Sequence, residues 1–206
     1  MLEYTLEKEL WDAGYEFVCG VDEAGRGPLC GPVVAAAVIL PRGLYIEGLN
    51  DSKKLTAKKR DALYDQIIES ALAYAIEEGS VEEINSTNIL EATMNAMRRA
   101  VSNLKVSANF ALVDGNIARN FPIDAKPVIG GDAKSPSIAA ASILAKVTRD
   151  RLCIDMDKQF PMYGIAKHKG YGTKDHMAAL RKYGAEPSIY RTKFIRFLDK
   201  DENENG

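Results

Sequence analysis

A chain of 206 residues, 46% hydrophobic and 27% charged, can bury one sizeable core and has the profile of an ordinary soluble globular protein. No apolar run approaches the ~20 residues that a membrane span requires, and the acidic start Met1-Leu2-Glu3-Tyr4 lacks the basic region of a secretory signal. Cys19, Cys30 and Cys153 are odd in number and lack C-x-x-C spacing, so they fit reduced cytoplasmic thiols better than a disulfide frame or a zinc site. The net charge of −2 hides an asymmetry: residues 1–132 carry −7, residues 133–200 carry +8 and the last six carry −3. Such a division fits a polyanion-binding face, and equally a solvated basic surface.

In chain order, residues 3–13 are predicted as a short helix with Leu6, Leu10 and Trp11 as its apolar stripe. Phe17 to Val21 and Val33 to Leu40 read as buried strands joined by a Gly/Pro-rich turn, and Pro41-Arg42-Gly43 ends the second. Thr56 is the expected N-cap of a helix to about Leu72, with Leu63, Ile67 and Leu72 on one face. A third strand is expected over Tyr74–Gly79, a helical turn over Val81–Asn85, and a helix from Thr87 or Asn88 to Asn103. Asn109–Asn116 is a continuous apolar strand closing on Asp114, as suits a strand covered on both faces. Pro127-Val128-Ile129-Gly130-Gly131-Asp132 repeats the pattern. Ser135-Pro136 then opens a long helix to about Lys158, Ala-rich in its first half. Beyond about residue 160 the only clear helix is Asp175–Tyr183, so residues 1–198 read as one unit with a helical C-terminal extension. Residues 199–206 are expected to be a disordered polar tail.

Three predicted strand ends therefore carry acids: Asp22-Glu23, Asp114 and Asp132. Carboxylates entering a core are costly unless neutralised, and in an α/β sheet the carboxyl ends of strands converge where ligands bind. Two divalent cations ~4 Å apart would turn such a cluster into a site for in-line phosphodiester displacement, and oxygen-only ligands suit Mg²⁺ or Mn²⁺ rather than zinc. Neighbouring residues of a regular strand face opposite ways, so Asp22 and Glu23 share a site only if the strand bends, for which Gly25 and Gly27 provide. The plainer alternative is a solvated Asp-Glu pair at a hairpin turn.

Five segments together carry a resemblance: Gly20-Val21-Asp22-Glu23-Ala24-Gly25-Arg26-Gly27-Pro28, Asp51-Ser52-Lys53-Lys54-Leu55, Asp114-Gly115, Gly131-Asp132-Ala133-Lys134-Ser135 and Lys167-His168-Lys169-Gly170-Tyr171-Gly172-Thr173. In order and approximate spacing they resemble bacterial ribonuclease HII, over about residues 3–198. The chain has no room for the long N-terminal domain of the sister type HIII. The resemblance implies a ribonuclease H-like α/β fold, a mixed sheet of about five strands with helices on both faces and a small C-terminal helical segment. It implies endonucleolytic cleavage of RNA in RNA–DNA hybrids and incision 5′ to a single ribonucleotide in duplex DNA, leaving 3′-hydroxyl and 5′-phosphate ends.

Carried over by position, Asp22, Glu23, Asp114 and Asp132 match the catalytic metal ligands. Gly25, Arg26 and Gly27, whose bare backbone can approach a 2′-hydroxyl, together with Tyr171 match the reader of the RNA-to-DNA junction. Ser52, Lys53 and Lys54 fit phosphate contacts. Ser142, Lys146 and Arg149 share one helix face that either meets the duplex backbone or is plain surface. His168 and His176 show no ligand spacing. Phe194-Ile195-Arg196-Phe197-Leu198 admits two readings, a weak sliding-clamp contact or the apolar end of the fold. The expectation is a monomeric cytoplasmic enzyme without membrane partners. A transposase, integrase or junction resolvase would also use clustered acids, but not a ribose reader. A non-catalytic nucleic-acid binder would need neither.

Overall fold

In the computed structural model, which describes residues 2–50 and 55–198, the first apolar run is the central strand of a five-stranded mixed sheet. Strands β1 (Val18–Ala24), β2 (Val33–Ile39), β3 (Ala73–Gly79), β4 (Phe110–Asp114) and β5 (Asp124–Val128) stand in the order β3-β2-β1-β4-β5. The first three pair antiparallel, while β1, β4 and β5 run parallel. Parallel pairing brings three carboxyl ends to one edge. The register, with Val21 opposite Val113, sets Asp22 beside the Asp114 level.

Seven helices accompany the strands among the described residues: α1 (Thr5–Asp12), α2 (Ala57–Ser70), α3 (Val81–Ser86), α4 (Ile89–Ser102), α5 (Pro136–Gln159), α6 (Ile165–His168) and α7 (Lys174–Tyr183). The expected caps hold α2, α4 and α5: Thr56, Asn88 and Ser135 accept from the amides of Lys59, Glu91 and Ile138. One sheet face packs Cys19, Val21, Ala35 and Val113 against Ala96, Met97 and Ala100 of α4. The other packs Val34, Ala36 and Val38 against α2 and the alanines of α5. Helix α5 lies unusually close to β1: a Cβ on Gly20 would fall 2.1 Å from the Ser137 carbonyl carbon and 2.2 Å from the Ile138 nitrogen. Buried Glu7 of α1 accepts from the Ser137 amide at 3.2 Å, an acid placed at the positive end of α5.

The structure revises three details and bears on a fourth. Helix α2 ends at Ser70, so Leu72 leaves the helix face and is exposed, its amide donating to Ile39 O. Strand β5 begins at Asp124 rather than Pro127 and stops at Val128, and Asp132 stands beyond it in a 3-10 turn, Gly131–Ala133. Pro127 is tolerated because β5 is an edge strand, and Gly130 at φ +62° turns the chain away. The connection Gly25–Pro32 is no tight hairpin turn: Leu29 N donates to Gly170 O, Gly31 N to Ile189 O, and Cys30 bridges Tyr190. Finally, Ile195, Phe197 and Leu198 pack against the cluster of Cys30, Cys153, Ile165 and Tyr190, which favours the apolar-end reading of that segment. Ser52, Lys53, Lys54 and the tail 199–206 lie outside the described residues. No described helix is long and apolar enough to cross a membrane.

Candidate active site

Asp22 is nine-tenths or more buried on the α5 face of β1, where Ser142 donates to its carboxylate and the Glu23 amide donates to Oδ1 at 2.7 Å. Despite both bonds its carboxyl is held well above the usual carboxylate range, first by burial, then by the charges of Glu23 and Asp114. Strand β1 stays paired with β2 through Ala24, so no bend precedes Glu23. Glu23 instead sits half-buried at the rim of the strand end, with Arg26 Nη1 at 3.5 Å. The strand end does what a bend was expected to do, since both carboxylates reach one groove.

Asp114 closes β4, and its Oδ1 accepts from the Gly131 amide at 2.7 Å. That bond ties β4 to the turn carrying buried Asp132. A Cβ at Gly131 would lie 2.5 Å from Ile138 Cδ1 and 3.3 Å from Asp114 Oδ1, so a side chain there would have to displace the isoleucine tip. Asp22, Glu23 and Asp114 are thus close enough at the ends of β1 and β4 to feel one another's charge. Asp132 follows the Gly131 amide in the turn after β5, and of the four only Asp22 and Glu23 line the groove described below. Among the described residues no group of three or more His, Cys, Asp or Glu side chains stands close enough together to hold a metal ion. Mg²⁺ needs no such group, because it keeps several waters and takes one or two carboxylates together with substrate phosphates. An all-oxygen donor set whose buried member is pushed toward protonation by its neighbours fits a hard divalent cation.

A groove of about 300 Å³ runs from Asp22 and Glu23 past Gly25–Pro28 to Tyr171. Tyr171 is 51% exposed, so it is not a core residue. Its ring lies against Gly27, where an added Cβ would come within 3.4 Å of Cε1. Gly25, at φ +95°, is obligatory for a second reason: a Cβ there would strike Arg149 Nε at 2.1 Å. On α5, Lys146 lines the groove and pairs with Asp150 at 2.6 Å; Arg60 stands 3.8 Å from the same carboxylate.

Arg149 departs from the expected phosphate contact. It is 2% exposed, and its guanidinium donates to Pro32 O at 3.1 Å, Cys30 O at 2.9 Å and the Cys153 sulfur. It braces the loop from beneath. Sequence patterning does not reveal Arg191, fully buried, whose guanidinium donates to Gly31 O (2.9 Å), Arg26 O (3.0 Å), Pro28 O (2.8 Å) and Gly25 O (2.7 Å). Burial, then Arg149, pushes its pKa down to about 10. No local signal marks an arginine so far along the chain as a loop anchor. Lys169, at φ +53° in the groove wall, lies inside the Lys167–Thr173 motif, yet nothing in the pattern sets it apart from its neighbours.

His168 and His176 stack at 4.1 Å between centroids and bond within their own region. His168 Nε2 donates to Tyr163 O at 2.9 Å and Nδ1 accepts from the Gly170 amide at 3.2 Å. His176 Nδ1 meets Tyr171 O at 2.9 Å and Nε2 meets the Tyr190 hydroxyl at 2.8 Å. A carbonyl only accepts, so Nδ1 carries the proton and Nε2 receives the tyrosine's.

The family model described as Ribonuclease HII matches residues 19–197. "Ribonuclease HII 1" of Methylibium petroleiphilum is 59% identical over 177 residues, 86% of this chain and 89% of that protein. Ribonuclease HII of Burkholderia mallei is 59% identical over 174 residues, 84% of this chain and 81% of that one. The crystal structure of ribonuclease H2 from Pyrococcus horikoshii is similar with a TM-score of 0.75 at 27% identity, over 90% of this chain and 98% of that one. The fold expected from the sequence is thereby met, and the chain belongs to the ribonuclease HII family.

Proposed function

We propose that this endoribonuclease of RNA–DNA hybrids also incises duplex DNA 5′ to a single embedded ribonucleotide, using Asp22, Glu23, Asp114 and Asp132 to hold two Mg²⁺ or Mn²⁺ ions. The observation that carries the reading is one continuous groove joining a crowded carboxylate edge to bare glycine backbone and an exposed tyrosine. When bound, the ions would supply an activated water on one side of the phosphodiester and charge stabilisation for the leaving 3′ oxygen on the other.

The chain's own groups do the rest. The Ser142 hydroxyl and the Glu23 amide orient the Asp22 carboxylate, and the Gly131 amide orients Asp114. Gly25, Arg26 and Gly27 line the groove, where their backbone would meet a ribose whose 2′-hydroxyl offers both donor and acceptor. The Tyr171 ring, facing Gly27, offers a flat apolar surface on which the next sugar packs. Lys146 and Lys169 lend positive charge to the groove wall. Ser52, Lys53 and Lys54 remain proposed phosphate contacts on sequence grounds.

The decisive assay is cleavage of duplex DNA bearing one ribonucleotide, with and without divalent metal. Metal-dependent incision on the 5′ side, leaving a 3′-hydroxyl, is the expected outcome. Incision of all-DNA branched substrates with none at the ribonucleotide would overturn the reading.

A further inference from the structure

Two loops far apart in sequence, Gly25–Pro28 and the one carrying Tyr171, must stand at a fixed separation if one reads a ribose and the other the sugar that follows. What fixes them comes from a third place. Leu29 N donates to Gly170 O at 2.8 Å, and Arg191 N donates to Leu29 O at 3.0 Å. The Arg191 side chain gathers the carbonyls of Gly25, Arg26, Pro28 and Gly31. The preceding residue, Tyr190, donates its hydroxyl to His176, which in turn donates to Tyr171 O. Adjacent residues of one short segment thus each hold one of the two loops, and all three side chains are buried.

We infer that Arg191, with the Tyr190–His176 pair, is a positioning unit that locks the Gly25–Pro28 loop to Tyr171 and so sets the preference for a ribose followed by a deoxyribose. The preference rests on the junction reading proposed above; the lock itself is a matter of bonds between loops. Arginine is required because its planar fork serves several carbonyls at once, whereas a lysine ammonium is a compact point donor on a flexible stem. Misplacing a bound group by a fraction of an ångström to one ångström lowers rate without removing any reacting group.

The test compares Arg191→Lys, Tyr190→Phe, His176→Asn and Tyr171→Ala with the parent on two substrates, a single embedded ribonucleotide and a long RNA–DNA hybrid. Amide hydrogen exchange is followed on each protein. Arg191→Lys is expected to lower kcat at the single ribonucleotide about tenfold while long-hybrid cleavage changes by less than about threefold. Exchange at Gly25–Leu29 and at Gly170–Gly172 should quicken together, with α5 unchanged. Tyr190→Phe, which keeps the ring, carries the same test in milder form should the lysine variant fold poorly. His176→Asn, whose amide can replace Nδ1 as donor to Tyr171 O but offers no Nε2 to the Tyr190 hydroxyl, should lose selectivity to the same mild degree as Tyr190→Phe. Equal loss on both substrates overturns the role in selectivity, and loosening of one loop without the other overturns the lock. If instead Tyr171→Ala leaves the substrate ratio unmoved, the junction reading fails, and joint loosening of both loops decides the lock alone.

Discussion

The carboxylate edge and the loop that adjoins it solve opposite electrostatic problems. At the edge, negative charge accumulates on a rigid frame of parallel strand ends, and Asp22 is pushed toward its neutral form by burial, Glu23 and Asp114. Beneath the loop, the two buried arginines, Arg149 and Arg191, are held by backbone carbonyls rather than by acids. The second region is complete as it stands, because every carbonyl it gathers is satisfied by a cation. The first keeps like charges close together, a strain that a bound cation would relieve. A rigid frame with crowded charge suits a catalytic centre, while a satisfied network suits a shape that must hold still while substrate is read.

The contrast is broken most forcefully at the edge. Asp22→Asn or Asp114→Asn should lower cleavage by roughly three orders of magnitude or more at saturating Mg²⁺, since each would remove a charged ligand of the proposed metal site. The sign for stability is the reverse. Asp22 has a folded pKa above its ordinary 3.8, so without metal the folded state loses stability as pH rises through that value. At neutral pH without metal Asp22→Asn should therefore unfold at a higher temperature than the parent, and a lower one would show that the edge is not strained by charge.

Beneath the loop the same kind of change should act on folding. Arg149→Met leaves the carbonyls of Cys30 and Pro32 unpaired and should cost about 3 kcal/mol in urea unfolding. A loss under about 0.5 kcal/mol would mean that water replaces the guanidinium. Tyr171→Ala should lower incision at a single ribonucleotide about tenfold, with Tyr171→Phe near the parent. Its stability should change little because the ring is exposed. Lys146→Ala should flatten the slope of log affinity against log salt by about one, the effect of taking away a single phosphate-neutralising cation. The smallest effect concerns His176, held neutral by burial below its ordinary 6.5. The unfolded chain takes up a proton below about pH 6.5 and the folded one does not, so stability should fall with pH there. His176→Asn should flatten that fall in urea titrations.

What the sequence disclosed follows the same division. Strand ends closing on acids are written locally, as apolar runs that stop at a carboxylate, so the pattern alone places Asp22 and Asp114. The caps Thr56 and Ser135 are equally local. Asp132 is legible as an acid near a strand end but not as a residue of a turn, because an edge strand with a central proline hides its own limits. Arg149 shares a helix face with Lys146, and periodicity alone does not tell a surface arginine from one turned under a loop. Arg191 is invisible at that level, since its partners lie more than 150 residues away in sequence.

Gly20 carries a consequence of its own. Because α5 rests on the β1 backbone there, the spacing between helix and sheet is set by a hydrogen atom in place of a methyl group. Ser142 and Lys146, further along the same rod, inherit that spacing as their height above the carboxylate edge. Gly20→Ala would lift the rod at one end and tilt it, and the groove would change depth without any of its lining residues being altered.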